Sequence, residues 1–217
     1  MQRVRIVGIT NPVIDGIKTA GELIAYCARV SNPSNQMNTL TAPKLLKYCV
    51  DHKHWSVFET VSVTMEIETT RDIGRQILRH RSFSFQEFSQ RYADPTKDLN
   101  YEIREARLQD TKNRQNSIDT DNEKLIRDWS ALQLDIWQHS KLAYKWAIEN
   151  GIAKEQARSV LPEGIIMSRM YMSGTVRSWI HYIQLRTDKA TQKEHREIAE
   201  MCSLEIKRAI PELADIF

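Results

Sequence analysis

The chain has 217 residues, of which 41% are hydrophobic and 27% charged, a composition that is ordinary for a globular protein of one to two domains. A formal net charge of +3 is too small to favour bulk binding to nucleic acid, and no apolar run approaches the roughly 20 residues needed to span a bilayer. Three cysteines without paired spacing, and a first segment without a signal-peptide apolar block, indicate a cytoplasmic protein.

The spacing of apolar residues predicts mixed strands and helices in the first third of the chain. Residues 2–8 alternate as a first strand, and amphipathic helices are predicted over 20–29 and 41–50. A half-buried strand is predicted over 61–68, because every second residue there is apolar. A further helix is predicted to follow it, with Thr70 as the N-cap.

The middle of the chain is predicted to be a long surface loop followed by the longest helix. Residues 92–122 are polar and almost without periodicity, whereas 121–150 show helical spacing. The residues of that helix expected to face the core are Leu125, Trp129, Leu132, Ile136, Ala143 and Ala147. Its aromatic residues are also expected to be core residues rather than a stacking platform.

In the last third of the chain, a short helix is predicted over 154–160 and a strand over 165–172. The next helix is expected to begin at Ser173 or Thr175. Residues 191–194, Thr-Gln-Lys-Glu, have the pattern of a capping box and predict the start of the last helix.

The basic residues are concentrated in the segment from Arg71 to Arg91. It holds five arginines, no lysine and two acidic residues, so its net charge of +3 equals that of the whole chain. Arginine binds phosphate or carboxylate through two parallel hydrogen bonds and keeps its proton. Arg71, Arg75 and Arg79 share one face of the predicted helix, where an anion or partner carboxylates would relieve their repulsion. A solvated basic face is the ordinary alternative.

Several short motifs together resemble those of one enzyme family. Residues 79–92 read Arg-His-Arg-Ser-Phe-Ser-Phe-Gln-Glu-Phe-Ser-Gln-Arg-Tyr, and this spacing of arginines and serines resembles the signature of flavin-dependent thymidylate synthases. Residues 27–31 are similar to the Ala-Arg-Val-Ser element of that family. Residues 54–59 match its His-x-Ser-x-Phe-Glu element, and 157–162 match its Ala-Arg-Ser-Val-Leu-Pro motif. Residues 110–117 resemble a further family element, although a flexible loop is an equal alternative there.

The resemblance implies an α+β fold, a twisted antiparallel sheet with flanking helices, in a single domain over residues 1–217. It implies a homotetramer whose active sites are shared between subunits, with FAD as the cofactor. The implied reaction methylates deoxyuridylate (dUMP) with 5,10-methylenetetrahydrofolate as the one-carbon donor, and NADPH or NADH reduces the flavin. In such a reaction the protein binds and polarises while the cofactor carries the electron chemistry.

The resemblance also assigns roles to individual residues. Those expected to bind dUMP are Gln76, Ile77, Leu78, Arg79, Glu87, Phe88, Ser89, Gln90, Arg91, Arg158 and Arg186. Those expected to bind FAD are Ser56, Arg79, His80, Arg81, Glu87, Thr175, Arg177 and His181. Those expected on the folate side are His54 and Ser89. The sequence departs from the usual family pattern at Val57, Thr60, Thr175 and His181.

Arg186 is the residue to which the resemblance assigns catalysis. A permanent cation beside the pyrimidine favours its ionised N3 and raises the electron density at C5. A serine nucleophile is less economical, because His80 lies between two arginines that disfavour the protonated form of a base. A metal site is not expected, since His52 and His54 are two residues apart rather than four.

A non-catalytic protein that binds single-stranded nucleic acid is the alternative interpretation. The Arg71–Arg91 face would contact phosphates, and Phe83, Phe85 and Tyr92 would stack on bases. The two hypotheses differ in the colour of the purified protein and in the salt dependence of nucleic-acid binding.

Overall fold

The computed structural model describes residues 2–217, which form a four-stranded antiparallel sheet flanked by helices. The strands in chain order are β1 (Arg3–Ile9), β2 (Ser62–Thr70), β3 (Ser84–Glu87), β4 (Arg107–Gln109), β5 (Ser117–Asp119) and β6 (Met167–Thr175). The helices are α1 (Ala20–Ala28), α2 (Ala42–Asp51), α3 (Arg71–Ile77), α4 (Pro95–Asp98), α5 (Glu123–Glu149), α6 (Lys154–Ala157), α7 (Val176–Arg186) and α8 (Lys193–Ala209). The main sheet has the order β1-β2-β6-β3, while β4 and β5 form a separate hairpin. The α+β class expected from the sequence is confirmed.

The two central strands, β2 and β6, carry the hydrophobic core. Val63, Met65 and Ile67 of β2 are fully buried, as their alternation predicts, and Met65 pairs with Met172 of β6. Helices α1, α2, α7 and α8 contribute to the same core. The fully buried Trp179 of α7 donates its indole N–H to the carbonyl of Val63 at 3.1 Å. This bond satisfies a buried donor and fixes α7 relative to β2.

The junction between β6 and α7 lies at Thr175. β6 begins two residues later than predicted and continues past Ser173, which pairs with Thr64 in the sheet. The alternative helix start at Ser173 is therefore wrong. The Thr175 hydroxyl accepts a hydrogen bond from the backbone N–H of Ser178 at 3.3 Å and caps α7.

The capping box predicted at residues 191–194 is wrong, although α8 does begin there. Gln192 occupies the N-cap position, and its side chain makes no capping bond. The Glu194 carboxylate binds the guanidinium groups of Arg104 and Arg107 instead. Two charged donors attract a carboxylate more strongly than one backbone N–H.

Residues 92–122 are more ordered than a surface loop, so that prediction is wrong in part. They contain α4 and the β4–β5 hairpin. The hairpin turn is held by the Asp110 carboxylate, which accepts hydrogen bonds from the Lys112 N–H at 2.8 Å and the Asn116 amide at 2.9 Å. Strands of three residues are too short to show periodicity in a sequence.

α5 is the longest helix, as predicted, but most of its predicted core face is exposed. The exposed apolar residues of that face are Leu125, Trp129, Leu132, Ile136 and Ala143. The residues that α5 buries are Gln133, Trp137, Tyr144 and Ala147. Its packing neighbours in the segment 157–166 cover this second stripe, so hydrophobic spacing alone identified the wrong side. Of its aromatic residues, Trp129 and Trp146 are exposed rather than core residues. No helix within residues 2–217 is long and apolar enough to cross a membrane.

Candidate functional site

The loop between α3 and β3, residues 78–83, presents the first half of the arginine-rich motif. Phe83 is buried and meets the Trp179 ring edge-on, with 4.8 Å between ring centroids. A Cβ on Gly174 would lie 2.5 Å from Cδ1 of Phe83, so only glycine leaves room for this ring. The Ser178 hydroxyl donates to the Ser82 carbonyl at 3.2 Å. The loop is therefore attached to the start of α7.

The first two arginines of the segment are neutralised within the chain. Arg71 is buried, and its guanidinium lies 3.5 Å from the Glu87 carboxylate and 3.4 Å from that of Glu163. The exposed Arg75 approaches Glu163 at 3.3 Å. These contacts agree with the expectation of partner carboxylates for Arg71 and Arg75, so neither needs a bound anion.

The other motif arginines are differently placed. Arg79 and Arg81 are exposed, and neither is within ion-pair distance of a carboxylate among residues 2–217. Arg91 makes an exposed pair with Glu155 at 3.6 Å, and Arg158 donates to the backbone carbonyl of Glu155 at 3.3 Å. Arg91 and Arg158 therefore lie on one small surface of the protein.

Arg186, at the last turn of α7, reaches the motif histidine. Its Nε donates to Nε2 of His80 at 2.9 Å across 106 residues of sequence. The His80 ring packs edge-on against Tyr182, with 4.9 Å between ring centroids. Burial and then the charge of Arg186 lower the pKa of His80 to about 4, so His80 is a neutral acceptor at pH 7. The direction was predicted, but burial and Arg186, not the neighbouring arginines in the sequence, cause it.

Gln76 joins this cluster through two residues that the motifs did not identify. Its amide Nε2 donates to Oε1 of Gln192 at 2.7 Å, and its Oε1 lies 3.2 Å from Nδ1 of His195. His195 is fully buried, and its ring centroid lies 6.2 Å from that of His80. Gln192 belongs to the segment predicted as a capping box and His195 follows it, and their contacts with Gln76 join positions more than 100 residues apart, which no local pattern reveals.

The remaining residues expected at the nucleotide lie along β3 and beyond it. The Glu87 carboxylate accepts a hydrogen bond from the Ser168 hydroxyl at 2.8 Å, and Phe88 donates its N–H to the Arg169 carbonyl at 2.8 Å. The Ser89 hydroxyl is 3.4 Å from the N–H of residue 91. Gln90 is buried and its Nε2 lacks a partner within residues 2–217.

Two expected nucleotide-site residues lie at the end of α3 and differ in exposure. Ile77 is fully buried and Leu78 half-buried. The side chain of Ile77 belongs to the hydrophobic core, so only its backbone is available to a ligand.

The residues expected on the flavin and folate side gather around the start of α7. Arg177 pairs with Glu59, and the His181 ring lies 4.5 Å from that of Trp55, measured between centroids. Burial and then the charge of Arg177 lower the pKa of His181. The exposed Ser56 lies in the adjacent 3-10 turn, Trp55–Glu59.

His54 immediately precedes that turn and is exposed. Its ring approaches Tyr48 edge-on, with 5.9 Å between centroids. The preceding residue, Lys53, has a φ of 60°, in the left-handed region that costs a non-glycine residue about 1 kcal/mol.

The sequence of the chain matches one protein family over nearly its whole length. The family model described as thymidylate synthase complementing protein matches residues 12–212. The chain is 50% identical over 210 residues to a probable flavin-dependent thymidylate synthase of Paramecium bursaria Chlorella virus 1, covering 97% of this chain and 96% of the relative. It is 54% identical over 199 residues to the flavin-dependent thymidylate synthase of Synechocystis sp., covering 90% of each. The chain belongs to the flavin-dependent thymidylate synthase family.

The fold agrees with this family assignment, and the resemblance stated from the motifs is confirmed. The crystal structure of the UMP/dUMP methylase PolB from Streptomyces cacaoi, bound with 5-Br UMP, superposes with a TM-score of 0.83. The match covers 100% of this chain and 93% of that chain at 22% sequence identity, so the likeness is one of fold.

The residues present in this family member fit a flavin dinucleotide and a nucleotide. The exposed guanidinium groups of Arg79 and Arg81 have the chemistry of phosphate ligands and no carboxylate within residues 2–217 to neutralise them. Beside His80, two buried polar atoms lack hydrogen-bond partners within residues 2–217, namely Tyr182 OH and His195 Nε2. Buried polar atoms without partners are rare in folded proteins and call for a ligand or water.

Proposed function

We propose that the chain is a FAD-dependent thymidylate synthase that methylates dUMP at C5 with methylenetetrahydrofolate as the one-carbon donor. The contact between Arg186 and His80 carries the proposal, because it joins the two parts of the chain whose motifs predict one site. When bound and reduced by NADPH or NADH, FAD supplies the hydride that the methyl group requires.

Arg186 provides a fixed positive charge for the pyrimidine. Its Nε is occupied by the neutral His80 ring, so the orientation of the guanidinium is fixed while its two terminal nitrogens remain available. These donors favour the ionised N3 of the uracil and raise the electron density at C5, where the new bond forms. Because an arginine keeps its proton at all working pH values, Arg186 acts electrostatically and not as an acid.

The other expected residues bind and orient. Arg79, Arg91 and Arg158 hold the nucleotide phosphate, since their cations lack strong internal neutralisation. The Ser89 hydroxyl adds a neutral hydrogen-bond donor there. Glu87 is an acceptor already aimed by Ser168 and suits a sugar hydroxyl or ring N–H. The residues that complete the nucleotide site are Gln76, Ile77, Leu78, Phe88 and Gln90. The residues that hold FAD are Ser56, Arg79, His80, Arg81, Glu87, Thr175, Arg177 and His181, with His54 and Ser89 towards the folate.

The proposal includes a homotetramer with shared active sites, a single domain over 1–217 and a cytoplasmic location. The exposed apolar stripe of α5 has the spacing of a helix that packs against another. Three free cysteines support a reducing compartment.

The assembly is tested with one residue of that stripe. Leu132→Glu places a charge on it and is expected to reduce the oligomer to smaller species in size-exclusion chromatography with light scattering. Gln138→Glu, which adds the same charge on an exposed polar position of α5, is the matched control. An unchanged mass for Leu132→Glu contradicts the use of this stripe.

The activity is tested by an absorption spectrum followed by release of tritium from C5-labelled dUMP. A yellow protein that releases tritium only with methylenetetrahydrofolate and a reduced nicotinamide supports the proposal. A colourless protein that binds single-stranded nucleic acid with a steep salt dependence supports the alternative use of Arg71–Arg91.

A further inference from the structure

His195 is a fully buried residue beside His80 and Tyr182, and no motif assigned it a role. It lies in the first turn of α8, fully enclosed. Its ring faces Tyr182 at 5.8 Å and His80 at 6.2 Å between centroids, and its Nδ1 lies 3.2 Å from Oε1 of Gln76. Burial and then the charges of Arg186 and His80 lower the pKa of His195 to about 3. The ring is therefore neutral at pH 7, with one N–H.

The position of that single proton follows from its partner. An amide oxygen only accepts hydrogen bonds, so Nδ1 of His195 must be the donor to Gln76. Nε2 then carries a lone pair, and it lacks a partner within residues 2–217. The contact with Gln76 thus selects one tautomer of the imidazole.

The bond from His195 is the first of a series that all run in one direction. Gln76 donates its Nε2–H to Oε1 of Gln192 at 2.7 Å, and Gln192 donates its Nε2–H to Oε2 of Glu194 at 2.9 Å. Glu194 accepts only, because Arg104 and Arg107 keep it ionised, and its pKa is lowered despite its burial. The carboxylate fixes the direction of the series, and each bond polarises the next.

We infer that His195 is a positioning residue that fixes the orientation of the Gln76 carboxamide in the nucleotide site. The oxygen and nitrogen of an amide are nearly the same size, so orientation depends on a donor on one side and an acceptor on the other. His195 supplies the donor and Gln192 the acceptor. One N–H and one lone pair of Gln76 remain for the nucleotide, in a fixed arrangement. This role rests on the proposed function, in which Gln76 binds dUMP.

Two substitutions separate hydrogen bonding from packing. His195→Leu removes the donor, whereas His195→Asn places an amide N–H where Nδ1–H stood. On the flavin-loaded protein, His195→Leu is expected to raise the Kd of dUMP about fivefold, the value of one hydrogen bond, and to raise KM for dUMP without changing KM for the folate. His195→Asn is expected to stay within about twofold of the parent. Equal losses in both variants overturn the inference.

A double-mutant cycle tests whether His195 acts through Gln76. If it does, the double variant Gln76→Ala, His195→Leu binds dUMP no more weakly than Gln76→Ala alone. Losses that multiply overturn the inference, because they show an effect independent of Gln76. Calorimetric titration with dUMP measures all four proteins without requiring turnover.

A measurement on the unaltered protein keeps the inference testable if a variant does not fold. The chain has six histidines, so ¹⁵N-histidine labelling gives few ring signals, and His195→Asn identifies one of them. A neutral ring protonated at Nδ1 is expected for His195 at pH 7. A ring protonated at Nε2, or at both nitrogens, overturns the inference. An inactive but correctly protonated protein instead counts against the proposed function alone.

Discussion

The arginines at the start of α3 and those in the loop that follows it contrast sharply. Arg71 and Arg75 share a helix face with Arg79 by spacing, yet they contact Glu87 and Glu163, whereas Arg79 and Arg81 contact no carboxylate within residues 2–217. The carboxylate of Glu163 comes from 88 residues away in sequence. Side-chain type and local spacing therefore do not distinguish the arginines that are paired within the chain from those that are not, whereas the placement of distant acids does.

Arg186 is expected to show the largest effect among the arginines without a carboxylate partner. Arg186→Ala should reduce thymidylate formation about 100- to 1000-fold, because it removes a preorganised charge at the reacting pyrimidine. Tritium release measures the loss, and the absorbance of bound flavin should persist. Loss of flavin with normal turnover per bound flavin would contradict the role given to Arg186.

Arg71, a buried arginine that is paired, should affect stability rather than chemistry. Arg71→Met removes the buried partner of Glu87 and leaves that half-buried carboxylate with one partner fewer, so the free energy of unfolding should fall by about 3 kcal/mol. Arg75→Ala breaks an exposed pair and should cost at most about 1 kcal/mol. Urea denaturation of the two variants measures both values. Equal losses would remove the distinction between these two positions.

As the pH falls, the low pKa values of His80 and His195 should destabilise the fold before the arginine–glutamate pairs break. The pKa values of His80 and His195 are about 4 and about 3, below the usual 6.5, so between pH 6.5 and 4 the unfolded chain binds protons that the folded chain does not. The free energy of unfolding should fall by about 2 kcal/mol from pH 7 to 5.5. Burial alone would raise the pKa of Glu163, but Arg75 and Arg71 lower it, so this pair breaks only at lower pH.

Thermal melts between pH 7 and 5 check the order of these two events. The His195→Asn variant should show a shallower decline than the parent, because one buried imidazole is gone. An identical decline in the two proteins would show that His195 titrates normally.

Arg81→Ala should have a much smaller effect than Arg186→Ala and should act on the binding of the cofactor. We expect about a tenfold rise in the Kd of FAD, comparable to one charge-assisted hydrogen bond, with the stability of the flavin-free protein within about 0.5 kcal/mol of the parent. The ratio of flavin to protein absorbance during titration measures it. A destabilised flavin-free protein would place Arg81 with Arg71 instead.

The sequence was informative where a pattern is local. Alternation predicted β2. The family resemblance placed His80 and Arg186 in one active site, but their direct contact was not predicted. Hydrophobic spacing on α5 was misleading, since an exposed apolar stripe has the same spacing as one that faces the core. His195 and Gln192 were missed because their contacts join the start of α8 to α3. The β4–β5 hairpin was missed because strands of three residues are too short to show periodicity.

Gly174, near the end of β6, determines how the loop of residues 78–83 packs. Gly174 leaves just enough space for the Phe83 ring, and that ring holds the backbone from which Arg79, His80 and Arg81 project. A methyl group added at position 174, as in Gly174→Ala, would displace the Phe83 ring and shift the three side chains together. The orientation of three polar or charged side chains thus depends on an uncharged position that has no side chain of its own.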